Sequence, residues 1–143
     1  MGNIDDSRLA QHAGDETILL LEDEHSVRVV TATVLERSGY QVHAAETVAE
    51  ARSLWTLHGA AVRLLLCDVG VRGEVGGVEL VAAIQRENPA VAVLFTSGLN
   101  HELATERHGL PEAAAFLPKP YTAMGLVKAV RAILDGGPQV PDF

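Results

Sequence analysis

The chain has 143 residues, 48% of them apolar and only 4% aromatic, which suits a single domain with a core of Leu, Val, Ile and Ala. Its formal net charge of −8, from 11 basic and 19 acidic residues, would repel a phosphate backbone and argues against direct nucleic-acid binding. No apolar run reaches the ~18 residues of a membrane span, the N-terminus carries no secretory signal, and the one cysteine, Cys67, cannot form an internal disulfide, so a cytoplasmic location without membrane contact is expected.

Residues 1–15 are polar and are expected to form a flexible leader. Thr17–Leu21 is the first continuous apolar run, and it ends in Glu22-Asp23-Glu24. Ser26 can cap a helix to about Ser38 that places Val27, Val30 and Val34 along one face, with Gly39 as its stop. Tyr40–Ala44 alternates weakly and predicts a second strand. Thr47 can cap the next helix, where Val48, Ala51 and Trp55 share a face, and Gly59 closes it.

The stretch from Val62 to Asp68 is the centre of the pattern. Leu64, Leu65, Leu66 and Cys67 run straight into Asp68, and Gly70, Gly73, Gly76 and Gly77 follow. A short apolar run bounded by turn residues reads as a strand buried on both faces. A third helix carries Val78, Leu80, Val81 and Ile84 and closes at Asn88-Pro89. Ala90–Phe95 predicts a fourth strand ending in Thr96-Ser97-Gly98. Asn100–His108 is a poor helix with few apolar contacts; its two histidines, His101 and His108, lack a third metal ligand. Ala113–Leu117 predicts a fifth strand leading into Lys119-Pro120, and Thr122 can cap a last helix with Leu126, Val130 and Ile133 on one face.

Five strand–helix units with short connections imply an α/β fold, a doubly wound five-stranded parallel sheet covered on both faces. The flavodoxin-like order 2-1-3-4-5 is the natural closure for five such units. The carboxyl ends of the strands then share one edge, which brings Glu22, Asp23, Asp68, Thr96 and Lys119 together. Three carboxylates in one crevice resist ionising together unless a cation neutralises them, and a hard divalent ion, Mg²⁺ or Mn²⁺, suits oxygen ligands of this kind. Lys119 supplies a point charge for a phosphoryl oxygen or for the Asp68 carboxylate, and Thr96 offers a hydroxyl. Carboxylates accept phosphoryl groups, and such transfer needs positioning and charge neutralisation more than acid–base work, so phosphorylation of Asp68 is expected.

From about Thr17 to Asp135 the sequence resembles a response-regulator receiver domain of two-component signalling, in the CheY-like superfamily. The resemblance implies that Glu22 and Asp23 are the family's acidic pair, Asp68 the phosphoacceptor, Thr96 the switch hydroxyl and Lys119 the lysine of the Lys-Pro motif, followed by a cis bond to Pro120. It further implies that Phe116 is the aromatic switch, that Gly70 offers a backbone carbonyl to the metal, and that Gly70 and Gly98 flank the approach of hydrolytic water. The chain departs from the usual pattern at Arg72, where proline is common, and in a loop to Gly77 that looks one residue longer. The implied domain spans residues 16–136 with a tail at 137–143, acting through partners or cut from a larger protein.

The implied partners are a sensor histidine kinase or histidine phosphotransfer protein, a downstream protein on the face of residues 99–135, and a second copy in a homodimer. Outside its own phosphorylation and dephosphorylation, no catalysis is implied. A haloacid-dehalogenase-type phosphatase also uses aspartate, Thr or Ser, lysine and Mg²⁺. That family, however, needs a second aspartate where this chain has Gly70 and places its nucleophile on the first strand. A non-phosphorylated receiver scaffold is the third reading, opposed by the complete set of site residues.

Overall fold

The computed structural model describes residues 12–71, 76–111 and 113–136. Arg72 and the rest of the 72–75 loop, the tail at 137–143 and residues 1–11 of the leader lie outside the described residues. The elements run β1 (Thr17–Leu21), α1 (His25–Arg37), β2 (Gln41–Ala45), α2 (Val48–His58), β3 (Val62–Asp68), α3 (Gly77–Glu87), β4 (Ala92–Ser97), α4 (His101–His108), β5 (Phe116–Pro118) and α5 (Ala123–Leu134). All strand pairs are parallel, in the order β2-β1-β3-β4-β5. This is the expected (βα)₅ sheet.

The continuous apolar runs follow from burial on two sides. Ile18, Leu20, Leu64, Leu66 and Leu94 point into one core with Val34, Leu35, Leu126 and Val130. Their neighbours Leu19, Leu21, Leu65, Cys67 and Phe95 point into the other, with Trp55, Leu80, Val81 and Ile84. Side chains alternate along a strand, so both sets of positions must be apolar when helices cover both faces. Fully burying each such side chain contributes roughly 1.5–3 kcal/mol. Thr47 caps α2 by accepting from the Glu50 amide at 3.0 Å, and Thr122 caps α5 by accepting from the Gly125 amide at 2.9 Å, both as expected.

Several local expectations change. Glu24, not Ser26, precedes the first turn of α1, and it makes no side-chain cap there. The buried face of α1 is Thr31, Val34 and Leu35, while Val30 is 39% exposed. The true stripe runs through a threonine, which the apolar pattern concealed; its Oγ1 lies 2.8 Å from the Tyr121 hydroxyl. β2 and β4 begin one and two residues later than predicted, and β5 is only three residues long. The Ala113–Ala115 segment turns instead, with the Ala114 amide bonded to the Pro111 carbonyl at 3.0 Å. Residues 13 and 14 contact the domain: the Gly14 amide donates to the Ser38 carbonyl, and Arg131 donates to the Ala13 carbonyl.

Candidate functional site

Parallel pairing carries each strand's last residues to one edge. Asp68, the final residue of β3, is the register partner of Thr96 on β4, and Thr96 in turn pairs with Leu117 on β5. Glu22 directly follows β1, and its amide is held by the Ala45 carbonyl at 3.0 Å. Lys119 follows β5, with its amide on the Ser97 carbonyl at 2.8 Å, and the Lys119–Pro120 peptide is cis, as the resemblance implied. Short backbone bonds thus fix the base of every long side chain before its head group reaches the crevice.

The head groups meet. Lys119 Nζ lies 2.6 Å from Glu22 Oε1 and 3.1 Å from Asp68 Oδ2. Asp68 Oδ1 accepts the Gly70 amide at 3.0 Å, and Glu22 Oε2 accepts the Glu24 amide at 3.1 Å. Carboxylate oxygens of Glu22, Asp23 and Asp68 lie within 4.8 Å of one another. Glu22 is buried, Asp68 is 8% exposed, and Asp23 faces solvent. The five residues expected to converge therefore do so, with Thr96 buried beside Asp68.

Burial raises the Glu22 carboxyl above its ordinary pKa, and the nearby Asp68 charge adds to this against the opposing pull of Lys119. Burial by itself would lower the Lys119 ammonium, but its hydrogen bond to Glu22 and the Asp68 charge outweigh that and raise it. A lysine held charged between two acids is the arrangement for receiving a third anionic group. The neighbouring Cys67 thiol is pushed far up by burial, which removes it from chemistry at this site.

The donor set suits a hard cation: carboxylate oxygens, and no sulfur or imidazole among the three converging groups. Glu22 shares its oxygens with Lys119 and the Glu24 amide, and Asp68 shares its own with Lys119 and the Gly70 amide, while Asp23 is the exposed member of the three. Gly70 and Gly98 are open around their Cα atoms. A Cβ at Gly70 would meet only Asp68 Oδ1, at 3.5 Å, and one at Gly98 would meet nothing within 4 Å.

Three neighbours escaped the sequence reading. Arg28 donates to the Glu22 carbonyl at 2.9 Å from the first turn of α1. Tyr121 ties the loop after Lys119 to α1 through Thr31. His101, set aside when no metal site could be built around it, stacks on Phe116 with ring centroids 5.0 Å apart and planes 10° from parallel. A basic residue one turn beyond an acidic strand end was a usable signal for Arg28; nothing local marked the other two.

Comparison with known proteins agrees with this geometry. A family model described as the response regulator receiver domain matches residues 18–131. The chain is 30% identical over 123 residues to the sensor kinase CckA of Brucella abortus (strain 2308), covering 86% of this chain and 13% of that protein. It is 29% identical over 117 residues to the response regulator receiver protein CpdR of the same organism, covering 82% of this chain and 95% of CpdR. The chain spans 13%, 24% and 26% of the lengths of three of the curated relatives it matches. Among solved structures, a response regulator receiver protein from Sinorhizobium medicae WSM419 superposes with a TM-score of 0.73 at 26% identity, covering 85% of this chain and 95% of that one.

Proposed function

The chain belongs to the response regulator receiver domain family, and from that premise we propose that it is a phosphoacceptor signalling module whose acceptor is Asp68. The observation that carries this reading is the Asp68 carboxylate, held by Lys119 Nζ at 3.1 Å and the Gly70 amide at 3.0 Å within a cluster of two further acids. One carboxylate oxygen of Asp68 attacks the phosphorus of a phosphohistidine on a sensor kinase or phosphotransfer protein. The phosphorus–nitrogen bond breaks, its electron pair returns to the imidazole, and the product is an acyl phosphate on Asp68. Lys119 moves its charge from the Asp68 carboxylate toward the phosphoryl oxygens, and the Thr96 hydroxyl donates to one of them. Mg²⁺ or Mn²⁺ would be held by the acidic cluster of Glu22, Asp23 and Asp68 with the Gly70 carbonyl, and would supply neutralisation of the phosphoryl charge.

Phosphorylation draws Thr96 inward and favours a buried Phe116, a population shift set by the phosphoryl group's different contacts in the two states. The face of residues 99–135 is then read by a downstream protein or a second copy. This reading makes the chain a cytoplasmic protein with no turnover beyond its own phosphorylation and dephosphorylation. No helix among the described residues is long and apolar enough to cross a membrane.

Acetyl phosphate with Mg²⁺ should raise the intact mass by one phosphoryl group, and EDTA should abolish the gain. Asp68→Asn keeps the size but removes the nucleophilic charge and should show no gain. Phosphate acquired by that variant at the wild-type rate rejects the assignment.

A further inference from the structure

Phe116 opens β5 and is 7% exposed, paired in register with Phe95. The only ring stacked on it among the described residues is the imidazole of His101, at a centroid distance of 5.0 Å. His101 is the first residue of α4, and its carbonyl accepts the Thr105 hydroxyl one turn along at 2.9 Å. The His101 Nε2 atom is buried without a hydrogen-bond partner among the described residues. An aromatic carbocycle would offer the same stacking surface and leave nothing unsatisfied.

We propose that His101 is a positioning residue for Phe116: its ring holds Phe116 buried against α4, and the unpartnered buried nitrogen keeps that hold weak. When α4 shifts or the Phe116 ring turns outward, Nε2 reaches water and recovers a hydrogen bond, so the polar atom lowers the cost of opening. The imidazole therefore does two opposed things at once. Its face favours the buried ring and its nitrogen favours release. That this balance tunes signalling rests on the receiver reading of Phe116; the positioning itself does not.

The test uses the full chain labelled with 4-fluorophenylalanine, without any phosphodonor. Three fluorine resonances arise in the wild-type chain, from Phe95, Phe116 and Phe143, and a fourth from position 101 in His101→Phe. Phe116→Tyr made in each background identifies the Phe116 signal, and its solvent isotope shift reports the ratio of buried to exposed ring. His101→Phe keeps the stack and removes the nitrogen, and should move that ratio about ten-fold toward the buried ring. His101→Ala removes both and should move it toward the exposed ring. A ratio unchanged by His101→Phe overturns the role of the nitrogen, and one unchanged by both variants overturns the positioning. Amide exchange from Ala104 to His108 shows that α4 persists in each variant. These shifts are read on unphosphorylated protein, so failure of Asp68 to accept phosphate would leave them unaffected and separately visible.

Discussion

Helices α4 and α5 begin alike and are held differently. Each follows a strand whose end contributes to the site, and each opens on a side-chain cap: Asn100 accepts from the Leu103 amide at 2.8 Å, and Thr122 from the Gly125 amide at 2.9 Å. Beyond the cap they diverge. α5 buries Leu126, Val127, Ala129 and Val130, all at 1% exposure or less, whereas α4 buries only Ala104. α5 is also clamped at its far end, where Arg131 reaches Glu16 Oε2 at 2.7 Å and the Tyr40 hydroxyl at 3.2 Å. α4 ends on Gly109 in the left-handed region at φ 68°, with no comparable clamp among the described residues. One crevice is thus flanked by an anchored helix and a loosely seated one. A charge change at Asp68 can be expressed as movement only where the displaced element costs little to displace.

The largest effect should separate their cores. Leu126→Ala removes a side chain with no room to collapse and should lower unfolding free energy by ~2–5 kcal/mol. Leu103→Ala on α4, where the side chain is half-buried, should cost less than ~1.5 kcal/mol. Urea titrations of the two variants make the comparison directly. Equal losses would mean that α4 is as firmly seated as α5, and the proposed division of labour would fail.

The clamp on α5 gives the next effect, and a pH dependence. The Arg131 guanidinium, hydrogen-bonded to Glu16, holds that carboxyl down to about 2, against burial, which pushes it up. A depressed folded value means the pair stabilises fully above the ordinary carboxylate value of 4.5 and loses that contribution as pH falls toward 2. Arg131→Met should therefore cost ~2 kcal/mol at pH 7. The gap between wild type and variant should narrow on acidification through that window. A gap constant from pH 6 to pH 3 would show that the clamp owes its strength to packing of the arginine stem.

Strand count and the convergence of Glu22, Asp23, Asp68, Thr96 and Lys119 were legible because each depends on a repeating feature: an apolar run, a turn, and a polar residue at the carboxyl end. The strand order came from the known fold that five such units resemble. What the pattern hid were single contacts across the fold. Thr31 is polar, so the stripe on α1 was drawn through Val30, which proved exposed; only the Tyr121 hydroxyl, 90 residues away, makes a threonine suitable there. His101 looked like half of an incomplete metal site because its partner, Phe116, lies outside the helix, on β5. The β5 boundary failed because three alanines support a turn as readily as a strand, and here the Pro111 carbonyl captures the Ala114 amide.

The smallest effect tests the comparison most closely, because the chemistry removed is the same on both helices. Asn100→Ala and Thr122→Ala each delete one cap hydrogen bond, a loss of ~1 kcal/mol at either site. On α5 the cap belongs to a helix whose apolar face unfolds only with the rest of the domain, so Thr122→Ala should lower the midpoint of global unfolding and leave local amide exchange within α5 close to the global rate. On α4 the helix opens without the core, since Ala104 is its one buried residue and the His101 stack on Phe116 and the half-buried Leu103 are the other contacts to break. Asn100→Ala should then raise exchange about five-fold from Leu103 to His108 while the global midpoint moves little. Hydrogen exchange followed by mass spectrometry, with a urea titration on the same samples, reads both quantities. If Asn100→Ala instead lowers the global midpoint as much as Thr122→Ala does, α4 unfolds with the core and cannot be the element that moves on its own.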